Sequence, residues 1–200
     1  VTAPYTSLLV TTEGVVLLEQ HRARLGPRWR SELDAFARTA TPGAWVVRVD
    51  SGTFRVEPRP GSRLYDGIAT RARVSPVADL RGELPKQASP SPWDDVREPG
   101  LATLLTDATG TEVYESCSAA VLGWDGARLV SPPVDRPRVA STAVQLLLAH
   151  HAHRCAPLAP DGPLLLVNAV VLTCLPLGST FPVELRQRLH ALLLATASRM

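Results

Sequence analysis

Lysine is almost absent from this chain of 200 residues: Lys and Arg together number 21, and Lys86 is the single lysine. Arginine can replace the charge of lysine but not its primary amine, since a guanidinium does not condense with an aldehyde. Any chemistry that needs a side-chain amine is therefore confined to position 86. Cysteine is scarce as well. Cys117, Cys155 and Cys174 form an odd set without a C-x-x-C pair, which fits free thiols in a reducing cytosol better than a disulfide framework. Charge of one sign is not in excess: the formal net charge is +2, and the arginines are scattered, so no nucleic-acid partner is expected. The longest apolar run, Leu164 to Leu177, is broken by Asn168 and Pro176 and is too short to span a bilayer. Val1 to Val10 lacks the basic start and long apolar stretch of a signal peptide. The expectation is a cytoplasmic protein with no membrane partner. No G-x-S-x-G elbow, Walker loop, dinucleotide fingerprint, internal repeat or low-complexity segment is found.

What is present is enough apolar material, 45% of residues, to build a sizeable core in one domain or two small lobes. Ser7–Val10 and Val15–Leu18 flank Gly14 as a hairpin. Glu19–Leu25 is helix-compatible, Gly26-Pro27 interrupts it, and Trp29, Leu33, Phe36 and Ala37 then recur at helical spacing. Ala44–Val49 and Thr53–Val56 form a second hairpin across Asp50-Ser51-Gly52, and Ile68–Val74 a further strand. Five prolines between Pro76 and Pro99 mark a loop that holds Lys86. Beyond it, strands are predicted at Ala102–Thr106, Ala119–Trp124, Ala127–Val130 and Leu164–Val167. Helices are predicted from Ser141 to His153, capped by Ser141 or Thr142, and after Pro182, where Leu185, Leu189, Leu192 and Leu193 share a stripe. The division is a small α+β lobe (1–80), an interlobe loop with Lys86 (81–99) and a larger α/β lobe (100–200).

An enzyme built on an aldehyde cofactor needs an amine, an acidic partner for a pyridine nitrogen, and donors for a phosphate. Lys86, within Leu84-Pro85-Lys86-Gln87, supplies the amine. Glu115 follows an Asp107-Ala108-Thr109-Gly110 turn, Arg24 lies in the first helix, and Ser141 and Thr142 stand at a helix N-terminus, where the dipole and open N–H groups favour an anion. His150, His151, His153 and Cys155 have the residue types of metal ligands, with His150 and His153 at i and i+3. No second cluster closes such a site, and no metal is expected.

In this order the segments resemble the class IV aminotransferases, the fold-type IV pyridoxal-phosphate enzymes. That family includes branched-chain and D-amino-acid aminotransferases and 4-amino-4-deoxychorismate lyase. Leu17-Leu18-Glu19-Gln20-His21-Arg22-Ala23-Arg24-Leu25 resembles the family's strand followed by H-x-x-R-L. Leu104-Leu105-Thr106-Asp107, Gly110 and Val113-Tyr114-Glu115-Ser116 resemble its D-x-x-G-x-V-x-E turn, with one residue extra between the glycine and the valine. Leu129-Val130-Ser131-Pro132-Pro133 resembles L-x-T-P-P, and Leu166-Val167-Asn168-Ala169 with Pro176-Leu177 resembles the late strand on the substrate side.

The resemblance implies an α+β, two-lobed, D-amino-acid aminotransferase-like fold, truncated at the N-terminus, where members carry a further strand and a Gly-Asp-Gly stretch. It implies pyridoxal 5'-phosphate as cofactor, held as an aldimine by Lys86, with Glu115 on the ring nitrogen. Arg24, Ser141 and Thr142 would bind the phosphate, and Asn168 would lie on the substrate side. It also implies an amino-acid-type substrate, aminotransferase or aminodeoxychorismate-lyase chemistry, and a homodimer with the active site near the subunit interface. The family's P-G-[IV]-[TS]-R phosphate loop is represented by Arg138-Val139-Ala140-Ser141-Thr142, without its glycine. Ser118-Ala119-Ala120 stands where the family has serine-x-asparagine. The alternative is therefore a non-catalytic or cofactor-free relative, which keeps the fold as a dimeric binding protein or for repurposed chemistry through Lys86, Glu115 or Cys117.

Overall fold

A computed structural model describes residues 5–59, 72–76, 83–84, 102–170, 172–174 and 180–198. The first sheet has the order β2-β1-β3-β4, all antiparallel, built from β1 (Tyr5–Thr11), β2 (Gly14–Val15), β3 (Gly43–Asp50) and β4 (Thr53–Pro58). The β3–β4 turn has positive φ at both central residues, 41° at Ser51 and 93° at Gly52, which is the geometry that matches strand twist in a two-residue hairpin. Strand alternation sends Leu8, Val10, Val47 and Val49 to one face. There they meet Leu18 and Leu25 of α1 (Leu18–Leu25) and Leu33 and Ala37 of α2 (Arg30–Thr39). Gly26, at φ 87°, ends α1, and Pro27 opens the short 3-10 turn that leads into α2.

The first hairpin ends earlier than its apolar run predicts. The second strand stops at Val15; Leu17 takes a left-handed φ of 57°, and Leu18 opens α1. Val16 and Leu17 are nonetheless buried, because they point into a core shared with the C-terminal half. That junction is pinned by the end of the chain. The Leu17 N–H donates to Thr196 Oγ1 at 3.0 Å, and Val15 forms a bridge with Ser198.

Beyond the first sheet, β5 (Ala72–Pro76), β7 (Ala102–Thr106) and β8 (Val113–Ser116) form one sheet, in the order β5-β7-β8. The short strands β6 (Glu83–Leu84) and β11 (Arg138–Val139) pair in parallel. A five-stranded sheet is centred on β9 (Ala120–Trp124), with β10 (Leu129–Ser131) and β12 (His153–Cys155) on one side. On the other side lie β13 (Leu164–Val167) and β14 (Leu172–Cys174). Its Leu122, Leu129, Leu165 and Val167 pack against Ala143 and Leu147 of α3 (Thr142–His150) and Leu185, Leu189 and Leu193 of α4 (Val183–Leu194).

One further sequence expectation is corrected. Helix α3 ends at His150, and His153 belongs to β12, where it faces Leu129 of β10; pairing with the sheet edge wins over another helical turn. His150 and His153 therefore do not share a helical face. The extra residue between Gly110 and Val113 accompanies a bulge. Leu105 faces Glu115 but Thr106 faces Val113, so Tyr114 is the unmatched residue and β8 bends there.

Two turns carry acids tuned by their own hydrogen bonds. Asp107 accepts from the Thr109 hydroxyl, from the Glu112 N–H at 3.0 Å and from the Thr111 N–H at 2.7 Å, which brings its pKa from 3.8 down to about 2. Asp125 is held at about 2 by Arg154, at 2.7 Å, and by the N–H groups of Ala127 and Arg128. Both bind protons more weakly folded than unfolded, so the stability they contribute is complete above about pH 4 and is lost as the pH falls toward about 2. Denaturation midpoints measured across this window are expected to decline, and less steeply in the Asp107→Asn, Asp125→Asn double variant. Parallel profiles would show that these turns do not set the acid limb.

Candidate functional site

Glu115 sits in β8 with only 2% of its surface exposed. A carboxylate that deep needs donors, and the backbone supplies two: the Val139 N–H to Oε2 at 2.8 Å and the Ser116 N–H to Oε1 at 3.2 Å. Glu115 thus ties β8 to β11. One residue beyond Val139, the Ala140 carbonyl accepts a bond from Arg24 Nη2, which reaches across from the last turn of α1. Ser141 follows as the N-cap of α3, its Oγ accepting from the Val144 N–H at 3.3 Å, and Thr142 is the first helical residue.

Four of the sequence-predicted residues, Arg24, Glu115, Ser141 and Thr142, are therefore gathered around the four-residue stretch 139–142, although they come from three separate segments. Glu115, Val139, Ala140 and Ser141 line one cavity together with Ser131 and Gln145.

Lys86 lies outside the described residues, as does most of the 81–99 segment. Leu84, two residues before it in sequence, pairs with Val139 in the β6–β11 ladder. Asn168 follows β13 and uses its side chain on backbone: Nδ2 donates to the Ser118 carbonyl at 3.1 Å, and Oδ1 accepts from the Val170 N–H at 2.8 Å. This fastens the end of β13 to the β8–β9 connection, where Ser116 Oγ accepts from the N–H groups of Ser118 and Ala119.

Several roles were not legible in the sequence. Val139 and Ala140 act through backbone atoms, which carry no residue-type signal. His21, part of the quoted H-x-x-R-L segment, is fully buried, with its Nδ1 2.8 Å from Thr6 Oγ1 of β1. Arg22 bonds Asp34 of α2 at 2.7 Å through Nε and also reaches Glu19, joining the two helices beside Arg24. The histidine cluster is dispersed: His150 Nδ1 lies 3.0 Å from the Leu146 carbonyl, and His153 Nδ1 lies 3.1 Å from the His151 carbonyl. Burial, then Arg188 and His150, lower the His151 pKa. Among the described residues no group of three His, Cys, Asp or Glu is placed to hold a metal, and no helix is long and apolar enough to cross a membrane.

A two-lobed α+β chain with a buried glutamate, a helix N-terminus and an arginine from the first helix brought together has the fold of the class IV, fold-type IV pyridoxal-phosphate enzymes. Among solved structures it is similar to a hypothetical aminotransferase from Mycobacterium tuberculosis in an alpha-ketoglutarate and PMP bound form. The TM-score is 0.74 at 17% identity, over 97% of this chain and 89% of that one. It is also similar to 4-amino-4-deoxychorismate lyase from Pseudomonas aeruginosa, with a TM-score of 0.64 at 18% identity, over 95% and 89%. A fold IV transaminase from Curtobacterium pusillum gives 0.65 at 17%, over 97% and 84%. No protein-family model and no curated protein matches the chain.

Proposed function

We propose that this protein is a pyridoxal-phosphate-dependent enzyme of the class IV aminotransferase or aminodeoxychorismate-lyase type, acting on an amino-acid-type substrate. The observation that carries this reading is the Glu115–Val139–Ala140–Arg24 connection, which sets a buried carboxyl group beside a helix start that an arginine reaches. That set of groups fits the cofactor: a buried carboxyl group suits a ring nitrogen, while a guanidinium and first-turn N–H groups suit a phosphate. When bound, the cofactor would supply an aldehyde for an amine and a ring able to take up an electron pair.

The chain's residues divide the remaining work. Lys86, the single lysine, would anchor the aldehyde and carry the proton removed from the substrate. Glu115 keeps the ring nitrogen protonated. Arg24, Ser141 and Thr142 hold the phosphate, and Asn168 shapes the substrate side through Ser118. The working unit in this reading is a cytoplasmic homodimer, with lobes 1–80 and 100–200 joined by 81–99.

A second reading has its own observation. Arg24 already donates to the Ala140 carbonyl, and the 138–142 segment lacks the family's glycine, which favours a cofactor-free relative using the fold for binding or other chemistry. One experiment separates the two. The purified protein is titrated with pyridoxal phosphate while its absorbance is followed, then reduced with borohydride and mapped by peptide. The enzyme reading expects a stoichiometric adduct on the peptide containing Lys86; no adduct at equimolar cofactor favours the second.

A further inference from the structure

Two contacts join the same pair of segments, and both span 24 residues. In the first, Glu112 holds Arg136 through a two-pronged bond, Nε to Oε1 at 3.1 Å and Nη2 to Oε2 at 3.0 Å. In the second, three residues further along each segment, Glu115 Oε2 accepts from the Val139 N–H. The two form successive rungs between the 112–115 segment, which runs into β8, and the 136–139 segment, which runs into β11.

We infer that Arg136 is a positioning residue for the site: by clamping the 132–137 connection to Glu112 it places the Val139 N–H on the Glu115 carboxylate and sets the start of α3. This rests on the reading above for its consequence in cofactor binding, but its geometry stands without it. Exposed ion pairs contribute little as a rule, since water competes and two long side chains must be ordered. This pair departs from that case in three ways. The fork is bidentate, which fixes direction as well as distance. The Glu112 side chain is only 13% exposed, and its backbone is held on both sides, its N–H donating to Asp107 Oδ1 and its carbonyl accepting from the Asp107 N–H, each at 3.0 Å. The Arg136 guanidinium also lies over the ring of Tyr114, 5.5 Å from its centroid, so it covers the bulged residue between the two rungs. Asp135, at 3.6 Å, adds a second, more exposed carboxylate. The path from the Asp107 turn to α3 is thus continuous: Asp107, Glu112, Arg136, then Val139 on Glu115.

Amide hydrogen exchange of the full chain without cofactor tests this directly. In Arg136→Gln and in Glu112→Gln the Val139 N–H is expected to exchange about ten-fold faster, while the Leu165 amide in central β13 keeps its rate, as a local opening requires. The double variant should add little to either single change, since both remove one interaction. The reversed pair, Glu112→Arg with Arg136→Glu, should recover part of the protection, and Arg136→Lys, which keeps charge but not the fork, should fall between. Unchanged exchange at Val139, or equal acceleration at Val139 and Leu165, would overturn the inference. Pyridoxal phosphate titration of the same variants then reads the consequence: Arg136→Gln is expected to bind about ten-fold more weakly than the unmodified chain. If the unmodified chain binds none, the proposed function fails while the exchange result still decides the role of Arg136.

Discussion

Lys86→Ala is expected to abolish the borohydride-trapped pyridoxal-phosphate adduct and the absorbance band that accompanies it, not merely to weaken them. The size of this effect follows from composition. With one lysine in 200 residues there is no neighbouring side-chain amine to substitute for the lost one, a situation rare enough to make the experiment unusually clean. Arg cannot replace it, so Lys86→Arg should be as inactive as alanine although it preserves the charge. Non-covalent affinity for the cofactor should survive in part, because Arg24, Glu115 and the start of α3 are untouched, and fluorescence quenching of the tryptophans can follow it. A band that persists unchanged in Lys86→Ala, or an adduct mapped only to the α-amino terminus, would remove the lysine from its assigned role.

Glu115→Gln is expected to produce the second largest change, and a ligand variant isolates its cause. Pyridoxal phosphate and its 1-deaza analogue differ at the ring nitrogen alone. A charge-assisted bond from that nitrogen to a buried carboxylate should favour the natural ring by about ten- to hundred-fold in the unmodified protein, corresponding to about 1.5–3 kcal/mol. In Glu115→Gln the preference should shrink to within a few-fold. The substitution also has a structural cost. A glutamine amide presents an NH2 group to either the Val139 or the Ser116 N–H, and a buried donor left without an acceptor costs about 1–3 kcal/mol. Thermal unfolding measures that part separately. An undiminished preference for the nitrogen-containing ring in Glu115→Gln would mean that the carboxylate serves only to join β8 to β11.

The distinction between these two roles of Glu115 shows where sequence reading stops. Its position after a D-x-x-G turn singled it out, and so did the place of Arg24 after a strand and of Ser141 before an apolar helix. By itself, however, a glutamate after a turn is an ordinary solvated residue. Nothing local signals that it will be buried to 2%, since this depends on Val139, 24 residues away, donating to it. The same holds for Glu112 and Arg136, whose charges are unremarkable along the chain and meet only because the segment after β10 runs past β8 into β11. His153 shows the reverse error. Helical periodicity ran through it, and a sheet edge claimed it for β12.

What the sequence by itself determined is what depends on short-range chemistry. Apolar alternation and turn residues placed most strands; Gly26-Pro27 and Ser141 set helix ends; a single lysine confined amine chemistry to one position; and the ordered motifs indicated the fold that the solved structures share. What only the tertiary structure decided is what depends on distance in space between residues remote in sequence. It joined Arg24 to Ala140 and Val139 to Glu115, placed Leu17 under Thr196 of the last turn, and linked Arg136 to Glu112. The physical reason is that propensity and periodicity act within a few residues, whereas a buried polar group takes whichever donor the packed chain brings within about 3 Å.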